Sequence, residues 1–289
     1  MADPLGVWLH AVTRDLPPAG VAGLAGVGGR PVRTVEAAGL VAVVCSVDLD
    51  EFGAEPMRRN LEDLAWLESV ARAHHAVVDA ASRLRGAVPA QLGTVYRDDS
   101  RVQAVLSERR GDFTAVLDRV SGRDEWGVKA FAVDVSPSPS PSPVPSPAPV
   151  TVAATGTASK PVAGPAPGGT VTGSGTGTGP GAAYLRRRRT ELDAAHRHRQ
   201  AALDGAEEVH AALAGHAEQA RRHPPQDRRL SGRPDPMVLN GAYLVGTADA
   251  EPFTAAFAAL VNRFPALHLQ LTGPWPPYSF VAADEEPPP

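Results

Sequence analysis

Apolar and polar positions change their period several times along this chain, and each change marks an element. "GVWLHAV" (Gly6 to Val12) and "LVAVVCSV" (Leu40 to Val47) are apolar runs that predict strands, and "PVRTVEAAG" between them predicts a strand and turn. From Asn60 to Arg85 the period lengthens. Leu61, Leu64, Leu67, Val70 or Ala71, His74, Val77 or Val78 and Ala81 recur every three or four residues, which is one face of a long helix stopped at Gly86. "AVPAQLGTVY" reads as a short extended segment, because Pro89 pushes its predecessor out of the helical region. Asp99 or Ser100 then caps a helix to Val120, with Val102, Leu106, Val116 and Leu117 on its apolar side.

In the second half, "EWGVKAFAVDV" (Glu125 to Val135) alternates as a strand. Ala182 to about Arg222 predicts a long helix, with Gly205 and Gly215 as candidate interruptions and Pro224 and Pro225 as its end. Met237 to Val245 is an expected strand, and Glu251 to Phe264 an expected helix with Phe253, Phe257, Leu260 and Val261 on one face. Ala266 to Leu271 closes the series as a strand whose Leu267, Leu269 and Leu271 share a face. Alternation of strands and helices points to an α+β sandwich.

One segment has no period at all. Ser136 to Gly181 carries a single charge, Lys160, and no aromatic residue, so it cannot bury enough apolar surface to offset backbone entropy. It is expected to be a disordered Pro/Ser/Gly/Thr linker or insertion. If Trp126 to Val133 pairs with the C-terminal strands, this segment interrupts a domain rather than separating two. The expected division is then an N-terminal α+β domain over 1–123 and a C-terminal domain over 124–135 and 182–289, with 136–181 inserted.

Composition narrows the function classes. A net charge of -4 and a pI near 6.1 exclude a bulk basic binder of nucleic acid or membrane surfaces. The lone Cys45 sits in an apolar run and reads as a small buried hydrophobe in a reducing compartment. No stretch of 18 uninterrupted apolar residues or signal-like start is present, so a soluble cytoplasmic chain is expected.

Few residues carry chemistry. "GSGTGTGPG" (Gly173 to Gly181) lacks the Lys-Ser/Thr and the preceding strand of a phosphate loop and reads as linker. His75 and Asp79 lie at i and i+4 beside His74, yet there is no third ligand pattern such as HExxH, so packing roles are expected for all three. The Arg186 to Arg189 run could contact phosphates, as an adaptor for nucleic acid would, but nearby Glu191, Asp193, Glu207 and Glu208 favour a solvated helix face. No nucleophile elbow and no Cys–His nucleophile pair in a plausible context is found, and no catalytic, cofactor-binding or metal residue is assigned. "LTGPWPPYSFV" (Leu271 to Val281) has prolines that cannot donate to a sheet, so pairing is expected to end by Thr272, leaving Trp275, Pro276 and Tyr278 as a rigid cover over the sheet's end.

These pieces in this order, "LEDLAWLESVARAHHAVVDAA" with "AVPAQLGTVY", "EWGVKAF", "YLRRRR", "MVLNGAYLV" and "LTGPWPPYSFV", resemble the GvpL/GvpF family of gas vesicle proteins. Where the family often carries an arginine after the proline, this chain has "PAQLGT", with Gln91. The resemblance implies two α+β domains, the second a modified ferredoxin-like sandwich. It implies a non-enzymatic accessory or minor structural role in gas vesicle formation, with the hydrophobic shell protein and other accessory proteins as partners. It implies no cofactor, nucleic acid or membrane. Trp66, His74, Trp126, Asn240, Trp275, Pro276 and Tyr278 are the structural or interaction candidates.

Overall fold

The computed structural model describes residues 5–133, 180–226 and 233–281. By contact, 1–133 and 202–289 form one compact unit and 134–201 a second. Most of the expected 136–181 insertion lies outside the described residues, although Pro180 and Gly181 already belong to a helix.

The first sheet is built on β1 (Leu5–Thr13), β2 (Val32–Ala37) and β3 (Leu40–Asp48), extended by the short β4 (Val88–Pro89) and β5 (Val95–Tyr96). All its pairings are antiparallel, in the order β2-β3-β1-β4, with β5 also on β1. β1 is buried from Gly6 onward because helices cover both faces, which is why its sequence is a continuous apolar run rather than an alternation. The register slips between Leu9 and Ala11, so His10 is the extra residue of a bulge.

Two short helices, α1 (Leu49–Phe52) and α2 (Ala54–Asn60), lead into α3 (Leu64–Arg85). The long helix expected from Asn60 therefore starts later. Asp63 caps it by accepting from the backbone N–H of Ala65 and Trp66, which fixes the start. Likewise the helix expected to run to Val120 is two, α4 (Asp99–Glu108) and α5 (Arg110–Val120), broken at Arg109, and its cap is Asp98. α3 packs Val77, Val78 and Ala81 on Ala11, Val41 and Val43. α4 and α5 pack Val102, Leu106, Val116 and Leu117 on Val7, Leu9, Ala42 and Val44 across the sheet.

The second sheet holds β6 (Arg123–Ala132), β7 (Gln219–Arg222), β8 (Met237–Gly246) and β9 (Leu267–Trp275), all antiparallel in the order β7-β8-β6-β9. β6 pairs with both β8 and β9, so the strand ahead of position 134 and those after it share one sheet. α6 (Pro180–Ala214) and α7 (Ala250–Arg263) complete this half. Ala206, Val209, Leu213, Phe253 and Leu260 bury against Val128, Ala130, Leu239 and Tyr243.

Two further expectations need correction. The helix expected to reach Arg222 ends at Ala214, and Gln219–Arg222 is a strand on the edge of the sheet. "QARR" carries no alternation because only four residues pair and none is fully buried. Pairing of β9 continues past Thr272: a register shift lets Trp275 stand opposite Glu125 across a cis Gly273–Pro274 bond. Gly273 is required there, with φ +127 and a would-be Cβ only 2.9 Å from the Glu125 carbonyl oxygen.

Candidate functional site

Three places in the described residues carry more than packing. The first is beneath α3. Strand alternation puts His10 on the same side as Trp8, the bulge adds Ala11 to that side, and His74 of α3 comes down between the two rings. The Trp8 indole N–H donates to His74 Nδ1 at 3.0 Å, which puts the imidazole proton on Nε2, facing the Ala90 carbonyl at 3.2 Å. The His10 and His74 rings stack at 5.1 Å, and His10 Nε2 lies 3.3 Å from Cys45 Sγ. Gly26 allows this closeness, since a Cβ there would stand 2.8 Å from that sulfur.

All of these side chains are buried. Burial is the main cause that lowers His10 from 6.5 to about 3, with the neighbouring His74 adding to it, and it lowers His74 to about 4. Burial also raises the Cys45 thiol to about 11, so this sulfur stays protonated and unreactive. The cluster is neutral and holds no charge for a substrate. Among the described residues, no group of three His, Cys, Asp or Glu side chains is placed to hold a metal ion.

The second place is where the chain returns after β9. Pro276 and Pro277 are buried, and Tyr278–Phe280 form a single 3-10 turn. Phe280 is fully buried among residues of both sheets, including Val12, Leu40 and Leu244. Ser279 is gripped on every polar atom. Its N–H and hydroxyl donate to the Glu125 carboxylate at 2.7 and 2.6 Å, Arg221 donates to its carbonyl at 2.8 Å, and His223 Nε2 lies 3.1 Å from its Oγ. The Arg221 guanidinium also lies 5.5 Å from the centre of the Phe280 ring. Burial pushes the Glu125 carboxyl up, against the pull of Ser279, His223 and Arg221.

The third is surface. Leu64 is 78% exposed at the start of α3, with Leu61 before it. On α6, Tyr184, Leu185 and Leu192 are all more than half exposed. The edges of β2 and β9 pair with no other described strand.

The residues singled out from the sequence scatter over these places. His74 lies in the buried cluster, but His75 leaves it, standing 5.5 Å from Trp275 and 6.1 Å from Tyr278, and Asp79 pairs with Arg83. The three do not meet. Pro276 and Tyr278 are in the turn, whereas Trp275 is 44% exposed, so it is a rim and not a buried cover. Trp66 donates to Glu51 at 2.8 Å and packs on Phe52, while Trp126 packs on Phe253 and Asn240 donates to the Pro224 carbonyl. Glu125, Ser279 and Arg221 were not visible as a group, because they sit on three elements and no spacing links them.

No described helix is long and apolar enough to cross a membrane. Comparison with known proteins identifies the lineage. Residues 6–282 match the family described as gas vesicle synthesis protein GvpL/GvpF. Gas vesicle protein L of Streptomyces sp. (strain CB03234) is 36% identical over 279 residues, covering 96% of this chain and 94% of that one. Gas vesicle protein F1 of Halobacterium salinarum is 38% identical over 47 residues, 16% of this chain. Among solved structures, gas vesicle protein GvpF from Anabaena sp. PCC7120 aligns with a TM-score of 0.60 at 15% identity, covering 97% of each chain. GvpF from Microcystis aeruginosa aligns with a TM-score of 0.59 at 14% identity, covering 96% of this chain and 99% of that one. A fold shared from end to end and a match spanning both sheets place this chain in the GvpL/GvpF family of gas vesicle proteins.

Proposed function

We propose that this chain works in gas vesicle formation by binding, holding the small apolar shell protein and other gas vesicle proteins during assembly, and that it catalyses no reaction. The observation that carries this reading is the family match over residues 6–282, which takes in every described strand except the first residue of β1. Its place of work would be at the vesicle inside the cell. The surface supports a binding role in two ways. Leu61 and Leu64 expose apolar area beside a folded body, and β9 offers a backbone edge to an extended partner.

The element order β6-α6-β7-β8-α7-β9 with strand order β7-β8-β6-β9 supports reading the second half as a ferredoxin-like sandwich. Two sheets, each with its own helices, also support the division near 123 into an N-terminal domain and a C-terminal one interrupted after 135.

The test is co-expression of the shell protein with the tagged full chain. The shell protein should then stay in the supernatant and co-purify, and Leu61→Asp with Leu64→Asp should weaken recovery without altering the fold. A shell protein that pellets equally with and without the chain contradicts the proposal.

A further inference from the structure

α6 is two helices in character although one in backbone. Its C-terminal part buries Ala202, Ala206, Val209 and Leu213, spaced by four, three and four residues. That spacing continues upstream through Leu185, Arg188, Leu192, Ala195 and Arg199, the a and d pattern of a coiled-coil seam. Upstream, however, the seam is exposed: Leu185 is 68% and Leu192 56% accessible. Residues 182–201 carry six arginines against two acids, within a chain of net charge -4. The stretch is therefore a basic island with a narrow apolar stripe.

We propose that residues 184–199 of α6 dock an acidic amphipathic helix of a partner protein, which lays its apolar residues against Leu185, Leu192 and Ala195 and its carboxylates against the flanking arginines. This rests on the assembly role proposed above and names the chemistry of one partner. Charge complementarity selects the occupant. Arg199 stands within the stripe itself, where a guanidinium can take a carboxylate through two parallel hydrogen bonds but would face acyl chains in a bilayer, and Arg188, also within it, lies 3.6 Å from Glu191 in an exposed pair that an incoming carboxylate can replace. A second copy of this helix would set arginine against arginine, and the acids further along are engaged, Glu207 by Arg222 at 2.7 Å and Glu208 by Arg263 at 2.6 Å. Nucleic acid would use the charge but not the leucines, and no aromatic interleaving serves stacking.

The experiment measures binding of the full chain to a synthetic helical peptide with leucine at a and d and glutamate at e and g. Parallel arms use the same peptide with lysine at e and g, a DNA duplex and an RNA hairpin, and vesicles containing phosphatidylserine. The glutamate peptide should bind, and Leu185→Glu with Leu192→Glu should weaken it about tenfold or more. Both side chains are exposed, so the melting temperature should not move. Arg187→Glu with Arg189→Glu should weaken binding and flatten its salt dependence. Equal binding of the lysine peptide, or tighter binding of nucleic acid or vesicles that survives the leucine changes, overturns the proposal. A photo-crosslinker at Leu192 in vesicle-forming cells should then join an acidic helical segment of a gas vesicle protein; a crosslink to any non-acidic segment overturns it too. If deleting the gene stops vesicle formation while the leucine variant restores it fully, this inference fails and the assembly role stands.

Discussion

Beneath α3, polar atoms are buried in neutral form: the Trp8 indole, the His74 imidazole, His10 Nε2 and the Cys45 thiol meet one another or a backbone carbonyl, while His10 Nδ1 has no hydrogen-bond partner among the described residues. At the return of the chain after β9 the polar groups are half-buried and include partners of opposite sign, Glu125 and Arg221, which close on Ser279 together with the exposed His223. The first arrangement is local to one sheet and is stable only while the imidazoles stay uncharged. The second ties the terminal turn to β6 and β7 and seats Phe280 in a core that draws on both sheets. One is a core that contains histidines; the other is a clasp. They should respond differently to mutation and to pH.

The largest effects should come from the aromatic anchor of each. Trp8→Ala and Phe280→Ala should each cost about 3 to 5 kcal/mol, read from urea midpoints. If Phe280→Ala costs less than about 1 kcal/mol, the turn is not a clasp.

Acid should separate the two next. His10 and His74 have folded values below the ordinary 6.5, so the folded state binds fewer protons than the unfolded chain between about 4 and 6.5. Their contribution is whole above pH 6.5 and is lost as pH falls toward about 4, on the order of 3 kcal/mol for His74. Glu125, raised by burial, acts with the opposite sign, its contribution being present at low pH and lost as pH rises through its folded value. His74→Gln should flatten the acid limb measured by thermal melting, whereas Glu125→Gln should steepen it slightly. An unchanged limb in His74→Gln contradicts the neutral-cluster account.

Smaller effects sharpen the clasp. Glu125→Ala should cost about 2 kcal/mol by leaving the Ser279 N–H without its acceptor, whereas Glu125→Gln keeps an oxygen there and should cost under about 1 kcal/mol. Trp275→Ala should be the mildest change, within about 1 kcal/mol, because the ring is 44% exposed and touches His75 only at the rim. A greater cost for Trp275 than for Glu125 would reverse the roles assigned to rim and clasp.

Much of this fold is legible from periodicity. The apolar runs at Gly6 to Val12, Leu40 to Val47 and Met237 to Val245 are strands, and the three-and-four spacing after Leu64 is a helix, because burial on one or two faces leaves a direct imprint on sequence. What is not legible follows from geometry that has no period. β7 is a four-residue edge strand, mostly charged and polar, whose existence depends on β8 alongside it, and the Arg109 break is a local dihedral change inside an otherwise continuous apolar pattern. The prolines after Leu271 rightly signal a stiff segment. They conceal that a one-residue slip lets the strand resume at Trp275, which turns the largest side chain outward and delivers Phe280 to the core instead. His74 can be picked out by spacing, but its partner Trp8 lies sixty-six positions away. The Glu125–Ser279–Arg221 grip is invisible for the same reason.

The measurement that bears most directly on the central claim is vesicle count by electron microscopy in vesicle-forming cells lacking this gene. The count should collapse, return when the full chain is supplied, and return only weakly with Phe280→Ala. An undiminished vesicle count in the deleted cells contradicts the claim.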